Sequence, residues 1–292
     1  MDIGLIIAVL AAASFGLAHV LVKKGVSQID EAFTSVATSV FAGTIIFSIA
    51  MFFTGEWDKI WALSWQGWFL LGAGGILHFV VGRLLMFKSI RLIGANKAAA
   101  IGGTSLLYAV SFGIIFLGES LTLYLVIGAT FIAMGTLLVS IIRQRSVSRI
   151  HVSGVLASLI GALFWGISGV LIKPAIEEIG SPLAASFISY LVASLALGVI
   201  LFRTEQREQL TKLSRAPLTI FIISSVFFTL GQLLRYMAYG YSPVSVVTLL
   251  IHTYALFTFF FSFFINRKIE VFTPRVFIGL VATVAGAFLL FL

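Results

Sequence analysis

Long apolar runs dominate this chain and leave little room between them. The 292 residues hold ten such runs, separated by short polar breaks and turn residues. A helix needs about 20 apolar residues to cross a bilayer, where hydrocarbon offers no partner to an unpaired backbone group. The strands of a membrane barrel would instead alternate apolar and polar residues over about 10 positions, and that pattern is missing. The sequence therefore predicts an all-α membrane protein with ten transmembrane helices.

The predicted spans follow from hydropathy together with turn and charge breaks. They lie at 3–22, 32–54, 66–88, 98–117, 123–142, 152–173, 183–202, 217–239, 244–265 and 274–292. Four prolines stand where a span is expected to begin, at Pro182, Pro217, Pro243 and Pro274. The first turn of a helix tolerates proline because its backbone N–H needs no partner there. Pro174 is expected to end the sixth span just after Lys173.

The low content of charged residues narrows the functional class. Charged residues make up 10% of the chain, against roughly 25% in soluble domains, which excludes a water-soluble enzyme and a disordered scaffold. Cysteine is absent, so the chain has no disulfide, thiolate metal site or thiol nucleophile. The net charge of +8 indicates loops that face anionic headgroups rather than nucleic acid. Membrane lipids are therefore expected partners, and nucleic acid is not.

The two halves of the chain resemble each other at a nearly constant offset. Three windows match in the same order, at shifts of 150, 149 and 151 residues: Phe15–Ile29 with Trp165–Ile179, Gly82–Phe87 with Gly231–Tyr236, and Glu119–Leu138 with Glu270–Leu289. The sequence therefore predicts two repeats of five helices, residues 1–145 and 150–292.

An odd number of spans in each repeat has a topological consequence. The second repeat must enter the membrane from the opposite side, which makes the two repeats inverted. Inverted repeats are a recurrent plan of secondary transporters, whose substrate site lies near the bilayer midplane between the repeats. The pattern thus indicates a secondary active transporter of a small molecule that works by alternating access.

Several motifs point to one family. They are FG followed by Lys23 and WG followed by Lys173, LGESLT (Leu117–Thr122), the Gly-x6-Gly pairs Gly128/Gly135 and Gly279/Gly286, and GRLLMFKSIRLIGANKAAAI (Gly82–Ile101). With these motifs the chain resembles the ten-helix drug/metabolite transporters with two EamA-like domains. It departs from their pattern at INRKIE (Ile265–Glu270), where LGE is usual. The resemblance implies a central cavity lined by spans 1, 3, 4, 6, 8 and 9, more peripheral spans 5 and 10, and export of a metabolite.

Basic residues fall on one side of the predicted membrane. Apart from the deeper Arg83 and Arg235, fifteen Lys and Arg belong to odd-numbered connections, and only Lys59 and Lys173 belong to even-numbered ones. The positive-inside rule places the odd connections in the cytoplasm and both termini outside. We expect an integral protein of the cell (inner, cytoplasmic) membrane.

Carboxylates are missing from the middle of every predicted span. All eleven acidic residues lie at span ends or in connections. Proton relays and cation pathways in membranes commonly use intramembrane acids, so export of lipophilic cations and conduction of divalent cations are disfavoured. The chain also lacks the GxxxxGK[ST] and HExxH motifs of ATP-driven and zinc-dependent chemistry. We expect no enzymatic activity, no cofactor and no metal site.

Two arginines lie inside predicted spans. Arg83 has apolar neighbours, and Arg235 forms one helical stripe with Gln232 and Tyr239. A guanidinium keeps its charge and matches the geometry of carboxylate or phosphate. With no intramembrane acid to neutralise it, an anionic or zwitterionic substrate is a natural counter-ion, such as an amino acid, another carboxylate or a phosphorylated metabolite. The alternative is that each arginine extends to the membrane surface or bonds carbonyls at a neighbouring helix end.

Other polar and aromatic side chains complete the predicted substrate-binding set. They are His19, His78, Gln232, Tyr108, His252, Tyr254 and Trp165. Histidine exchanges protons near neutral pH, so a histidine is a candidate for coupling transport to a proton. A counter-substrate is the alternative coupling partner. A single histidine in a helix bundle more often bonds a facing carbonyl or hydroxyl.

Two other functions stay open on the sequence. A flippase for a lipid-linked anionic headgroup would also use buried arginine for phosphate, and its cavity would open sideways to lipid. A non-transporting membrane sensor or assembly subunit would show no flux in liposomes.

Overall fold

Helices account for every regular element of the described chain. The computed structural model describes residues 3–26, 32–93, 98, 101–140, 151–201, 215–265 and 274–291. The helices are α1 (Ile3–Val26), α2 (Ala32–Thr54), α3 (Trp57–Ala62), α4 (Trp65–Gly75), α5 (Arg83–Ile93), α6 (Ser105–Leu117), α7 (Leu123–Ser140), α8 (Val152–Ile179), α9 (Pro182–Ile200), α10 (Arg215–Tyr239), α11 (Val244–His252), α12 (Tyr254–Ile265) and α13 (Pro274–Leu289). A π-helical segment, Ile76–Gly82, joins α4 to α5. The predicted all-α membrane fold is confirmed.

Helical stretches stand at all ten predicted spans. Seven of them are long and apolar enough to cross a bilayer, and Ser105–Leu117, Leu123–Gly135 and Phe277–Leu289 are shorter apolar helices. The third span consists of α4, the π-helical segment and α5 in one continuous stretch. The ninth span is interrupted at Thr253, between α11 and α12.

The sixth span is longer than predicted. Pro174 lies inside α8, which continues to Ile179, so the expectation that Pro174 ends this span is wrong. Proline removes one intrahelical hydrogen bond, but Ile172 before it and Ala175 and Ile176 after it are buried, which holds α8 on both sides of Pro174. The helix ends instead at Gly180, whose φ of 60° is the left-handed conformation that glycine adopts at helix C-termini.

Helices α7 and α13, the fifth span of each repeat, pack against each other and run in opposite directions. A Cβ on Gly128 would lie 2.9 Å from the carbonyl oxygen of Gly286, and a Cβ on Gly135 would collide with the carbonyl of Gly279. The 151-residue shift relates Gly128 to Gly279 and Gly135 to Gly286, so the pairing is reciprocal. A two-fold axis produces such reciprocal contacts. Because equivalent helices are antiparallel, the two five-helix repeats are inverted.

The centre of the bundle repeats this symmetry. The hydroxyl oxygens of Thr44 and Ser194 lie 2.7 Å apart, at positions separated by 150 residues. Equivalent residues of α2 and α9 thus meet each other, as expected beside a two-fold axis. The predicted repeat boundary at 145–150 lies outside the described residues and stays a prediction.

The LGESLT motif joins the two repeats. Gly118 ends α6 with a φ of 66°, and the Thr122 hydroxyl caps α7. Between them, Glu119 accepts hydrogen bonds from the backbone N–H groups of Val244 at 2.5 Å and Ser245 at 3.0 Å. A carboxylate at a helix N-terminus satisfies free donors and complements the helix dipole. Glu119 of the first repeat therefore stabilises the start of α11 in the second.

Removing this cap has a predictable cost. Glu119→Ala is expected to lower the stability of the folded protein by about 1–2 kcal/mol, because two backbone donors lose a charged acceptor. The matched control is Glu177→Ala, since Glu177 is largely exposed and only pairs with Lys173 at 3.8 Å. Thermal unfolding in detergent, followed by the fluorescence of the five tryptophans, measures both variants. Equal melting temperatures for the two variants would contradict the capping role.

The other connections on this face hold the repeats together in a similar way. Glu178 accepts a hydrogen bond from the backbone N–H of Ser64 at 2.8 Å. Glu56 accepts one from the hydroxyl of Ser181, which also caps α9. With Glu119, these contacts tie the first repeat to the second at the even-numbered connections.

Candidate functional site

The π-helical segment carries the residues that reach the centre of the bundle. Isolated π-helical turns inside helices are frequent at functional sites, and this one contains His78 and precedes Arg83. Gly82 lets α8 come close, since a Cβ there would lie 2.6 Å from the indole Nε1 of Trp165. The same Nε1 donates to the carbonyl of His78 at 3.2 Å. The third span is thereby fixed against the sixth at this level.

Arg83 lies among neutral partners. Its guanidinium donates to the hydroxyl of Ser39 at 2.9 Å and hydrogen-bonds Tyr190. The rings of Phe79 and Phe228 lie 5.4 and 5.2 Å from the guanidinium carbon. These two phenylalanines are equivalent in the repeats at a shift of 149 residues, so Arg83 lies beside the pseudo-two-fold axis. Cation–π contacts stabilise the charge without neutralising it.

Arg235 is more enclosed than the half-buried Arg83, with 6% of its surface exposed. The amide oxygen of the fully buried Gln232 faces its Nε at 3.0 Å and its Nη2 at 2.6 Å. The Nη1 donates to the Nε2 of His78 at 3.1 Å, and the rings of Tyr236 and Tyr239 lie 5.6 Å away. Each of the three nitrogens of Arg235 thus has one partner or faces one.

His78 joins both repeats through a chain of hydrogen bonds. The Nη1 of Arg235 lies 3.1 Å from the Nε2 of His78 and 3.4 Å from its Nδ1. The Ser168 hydroxyl gives its proton to Trp165, so Nδ1 carries the ring proton and Nε2 accepts from the guanidinium, which only donates. Nδ1 then donates to the hydroxyl oxygen of Ser168 at 3.0 Å, and that hydroxyl donates to the carbonyl of Trp165 at 2.8 Å. This geometry assigns a neutral His78 with its proton on Nδ1.

Acidic side chains do not accompany the two arginines in the described part of the chain. The ion pairs there, Lys59 with Glu56 at 3.2 Å and Lys173 with Glu177 at 3.8 Å, lie at helix ends. Two positive charges therefore stand near the middle of an apolar bundle beside neutral groups. An intramembrane charge is costly unless a partner or a polar cavity receives it.

A group of aromatic rings extends from Arg83 toward the other helices. The ring of His19 lies 5.2 Å from Phe228 and 4.9 Å from Tyr254. His19 is exposed although rings from α10 and α12 flank it. The His19 ring is therefore accessible between these helices. Phe228 contacts both His19 and Arg83, so the exposed ring is one side chain away from the guanidinium.

His252 is placed differently from the other two histidines. Its Nδ1 donates to the carbonyl of Thr248 at 2.9 Å, and its Nε2 lies 3.1 Å from the hydroxyl of Ser105. Both nitrogens thus have partners in α11 and α6, which is the bonding expected of a packing histidine. Its ring centroid is 6.2 Å from that of Tyr254.

Tyr108 lies apart from the other predicted site residues. Its ring stacks on Phe112 at 6.3 Å, and its Cβ packs against Gly166. The other predicted residues form two adjoining sets, and their role in binding stays a prediction. The first set is Arg83, His78, Arg235, Gln232 and Trp165, and the second is His19, Tyr254 and His252.

Some residues of the site were missed by the sequence reasoning. They are Ser39, Phe79, Ser168, Tyr190 and Phe228. Hydropathy does not distinguish a cavity-facing serine or phenylalanine from a packing one. A usable signal was the repeat itself, since Phe79 and Phe228 match at the 149-residue shift within runs that flank the arginines.

Known proteins resemble this chain in sequence and in fold. The model of the EamA-like transporter family matches residues 2–141 and 152–292. A Sinorhizobium protein described as "Uncharacterized transporter in cobO 3'region" is 33% identical over 134 residues, which are 46% of this chain and 94% of that relative. A solved crystal structure has a TM-score of 0.71 at 18% identity, covers 98% of this chain and 95% of its own, and so has the same fold. The chain belongs to the EamA-like transporter family, as its resemblance to the ten-helix drug/metabolite transporters indicated.

Proposed function

We propose that this transporter moves a small organic metabolite with an anionic or zwitterionic group. The observation that carries the proposal is the guanidinium of Arg83, which lies among neutral partners and one side chain away from the exposed ring of His19. The proposed substrate space lies between them. Ser39 and Tyr190 engage only part of its five donors. A carboxylate or phosphate in that space would receive a charge-assisted, bidentate pair of hydrogen bonds.

The walls of this space favour an organic anion over a bare inorganic one. Phe228, His19 and Tyr254 present ring faces and edges next to Arg83. Aromatic rings bury apolar or planar groups, and their polar atoms orient the rest of the molecule. The proposed substrate therefore combines an anionic group at Arg83 with an apolar or planar part against these rings.

Alternating access follows from the way the site is divided between the repeats. His78 and Arg83 belong to the first repeat, and Ser168 and Arg235 to the second. Rocking of one inverted repeat against the other would change these distances and open the site to either side in turn. We propose export as the direction, following the family resemblance.

The proposed orientation has the odd-numbered connections in the cytoplasm and both termini outside. It rests on the distribution of basic residues. A C-terminal reporter fusion that is active only in the cytoplasm would overturn this orientation.

A ligand screen tests the substrate class. Purified protein is heated with carboxylates, sulfonates, phosphorylated compounds, zwitterionic amino acids and organic cations, and each compound that stabilises it is then tested for flux in proteoliposomes. We expect anions or zwitterions to raise the melting temperature and to cross the membrane. Stabilisation by cations alone, unchanged in Arg83→Ala, would refute the anion proposal. Binding without any flux would favour a sensor over a transporter.

A further inference from the structure

We propose that His78 is the proton-binding site of the transport cycle and takes up a proton when the anion binds, so that both cross the membrane together. The inference rests on the proposed anionic substrate. It assigns a coupling ion and its binding atom, the Nε2 of His78.

The first step is the state of His78 without a substrate. Its Nε2 accepts a hydrogen bond from Arg235 at 3.1 Å, while Nδ1 donates to Ser168 at 3.0 Å. Both nitrogens are occupied, and the ring can hold this arrangement only when it is neutral. A proton on Nε2 would place an N–H against an N–H of Arg235.

The second step is the charge around His78. The titratable and charged side chains that surround it are Arg83 from its own span, Arg235, Tyr236 and Tyr239 from α10, and Tyr190 from α9, which packs on Phe79. From α8, it meets the neutral Trp165 and Ser168, and α2 has no titratable residue. Protonation would therefore add a third positive charge to two arginines, with no described acid beside them.

The third step is what an anion changes. An anion next to the arginines supplies negative charge and acceptor atoms, so Arg235 can donate to the anion instead of to His78. The freed Nε2 can then bind a proton from water, and the imidazolium can donate to the anion. Anion and proton thus bind cooperatively, because each removes the repulsion or competition that opposes the other.

The charge balance of this step is simple. One monoanion and one proton enter the site together, and both leave when the repeats open to the other side. Arg83 and Arg235 keep their charges, and His78 returns to its neutral form with Arg235 on Nε2. Transport of a monoanion is then electroneutral, and an outward metabolite gradient carries the anion and the proton out together.

The other histidines lack this arrangement. His252 bonds Thr248 and Ser105 with its two nitrogens, away from both arginines. His19 lies against the rings of Phe228 and Tyr254 rather than in a hydrogen bond with a guanidinium. Only in His78, among the histidines of the described chain, does a nitrogen accept from an arginine that an anion would attract.

The decisive variant is His78→Gln. Glutamine offers an oxygen to Arg235 and an N–H to Ser168, but it does not titrate. The probes are benzoate and benzenesulfonate, which stay anionic between about pH 6 and pH 8. Wild-type affinity is expected to rise at least about tenfold from pH 8 to pH 6, with up to one proton taken up per anion. His78→Gln is expected to bind with an affinity that does not change with pH and with no proton uptake.

The control is His151→Gln, because His151 is an exposed residue at the start of α8 and should leave the wild-type pH slope intact. Calorimetry in two buffers of different ionisation enthalpy counts the protons. A flat wild-type affinity, or a wild-type slope in His78→Gln, overturns the inference while anion binding itself stands. Failure of both probes and of every anion in the screen to bind at any pH overturns the proposed function as well.

Nitrogen NMR of the histidine rings provides a second readout that does not need a folded His78→Gln. The chain has four histidines, so variants at the other three assign the signals by elimination. We expect the Nδ1–H form of neutral His78 without an anion and a doubly protonated ring with benzoate. A ring that stays neutral when benzoate is bound would refute the proposal.

Discussion

Arg83→Ala is expected to weaken binding of an anionic metabolite about 100-fold. The guanidinium would give the anion two charge-assisted hydrogen bonds, and their loss costs about 3 kcal/mol. Arg235 compensates for this loss only in part, because Gln232 faces its Nε and Nη2 and only the Nη1 that contacts His78 can turn to the anion. The anion affinity of Arg83→Lys should lie between those of the wild type and Arg83→Ala. An ammonium keeps the charge but loses the planar guanidinium that Phe79 and Phe228 enclose.

Equilibrium binding of the ligand found in the screen measures this effect. The matched control is Lys59→Ala, which also removes one positive charge but acts at the 3.2 Å pair with Glu56 in a connection. Its affinity should equal that of the wild type. Equal affinities of Arg83→Ala and Lys59→Ala would show that Arg83 does not contact the substrate.

Gly135→Ala is expected to destabilise the protein by about 2 kcal/mol through a single added methyl group. The methyl would collide with the carbonyl of Gly279 and with Thr283 of α13, and backbone atoms cannot move aside without separating the helices. Since α7 and α13 pair reciprocally, the change affects the contact between the two repeats.

Gly198→Ala is the matched control for this change. Gly198 also lies in an apolar helix, but a Cβ there meets no atom within 4 Å. Alanine should stabilise that helix by up to about 1 kcal/mol, because it loses less backbone entropy than glycine. Thermal unfolding of both variants by tryptophan fluorescence gives the comparison. Melting temperatures that shift in the same direction would contradict the close packing of α7 and α13.

The positions of the spans could be predicted because they depend on local composition. Runs of apolar residues and helix-starting prolines are properties of the chain itself, and the 150-residue offset is visible without any structure. Pro174 shows where local signals fail. Whether a helix continues through a proline depends on the helices that pack against it, and α8 continues to Ile179. The π-helical segment and the interruption at Thr253 also depend on packing, and the sequence reasoning predicted neither.

The repeat symmetry explains part of what the sequence reasoning missed. The shift that aligns Gly82 with Gly231 also aligns Phe79 with Phe228, and these rings enclose Arg83 from both repeats. Tyr190 and Ser39 had no such signal, because one hydroxyl in an apolar run is as compatible with packing as with a site.

The sequence by itself determined the membrane fold, the two repeats, the family and the presence of two intramembrane arginines without intramembrane acids. All of these follow from residue identity and spacing. It could not distinguish the arginines from each other, because both stand in similar apolar surroundings along the chain. Only the tertiary structure decided that Gln232 and His78 surround Arg235 while the half-buried Arg83 meets Ser39, Phe79 and Phe228. Hydrogen-bond partners come from helices far apart in sequence, so the state of His78 is a property of the assembled bundle.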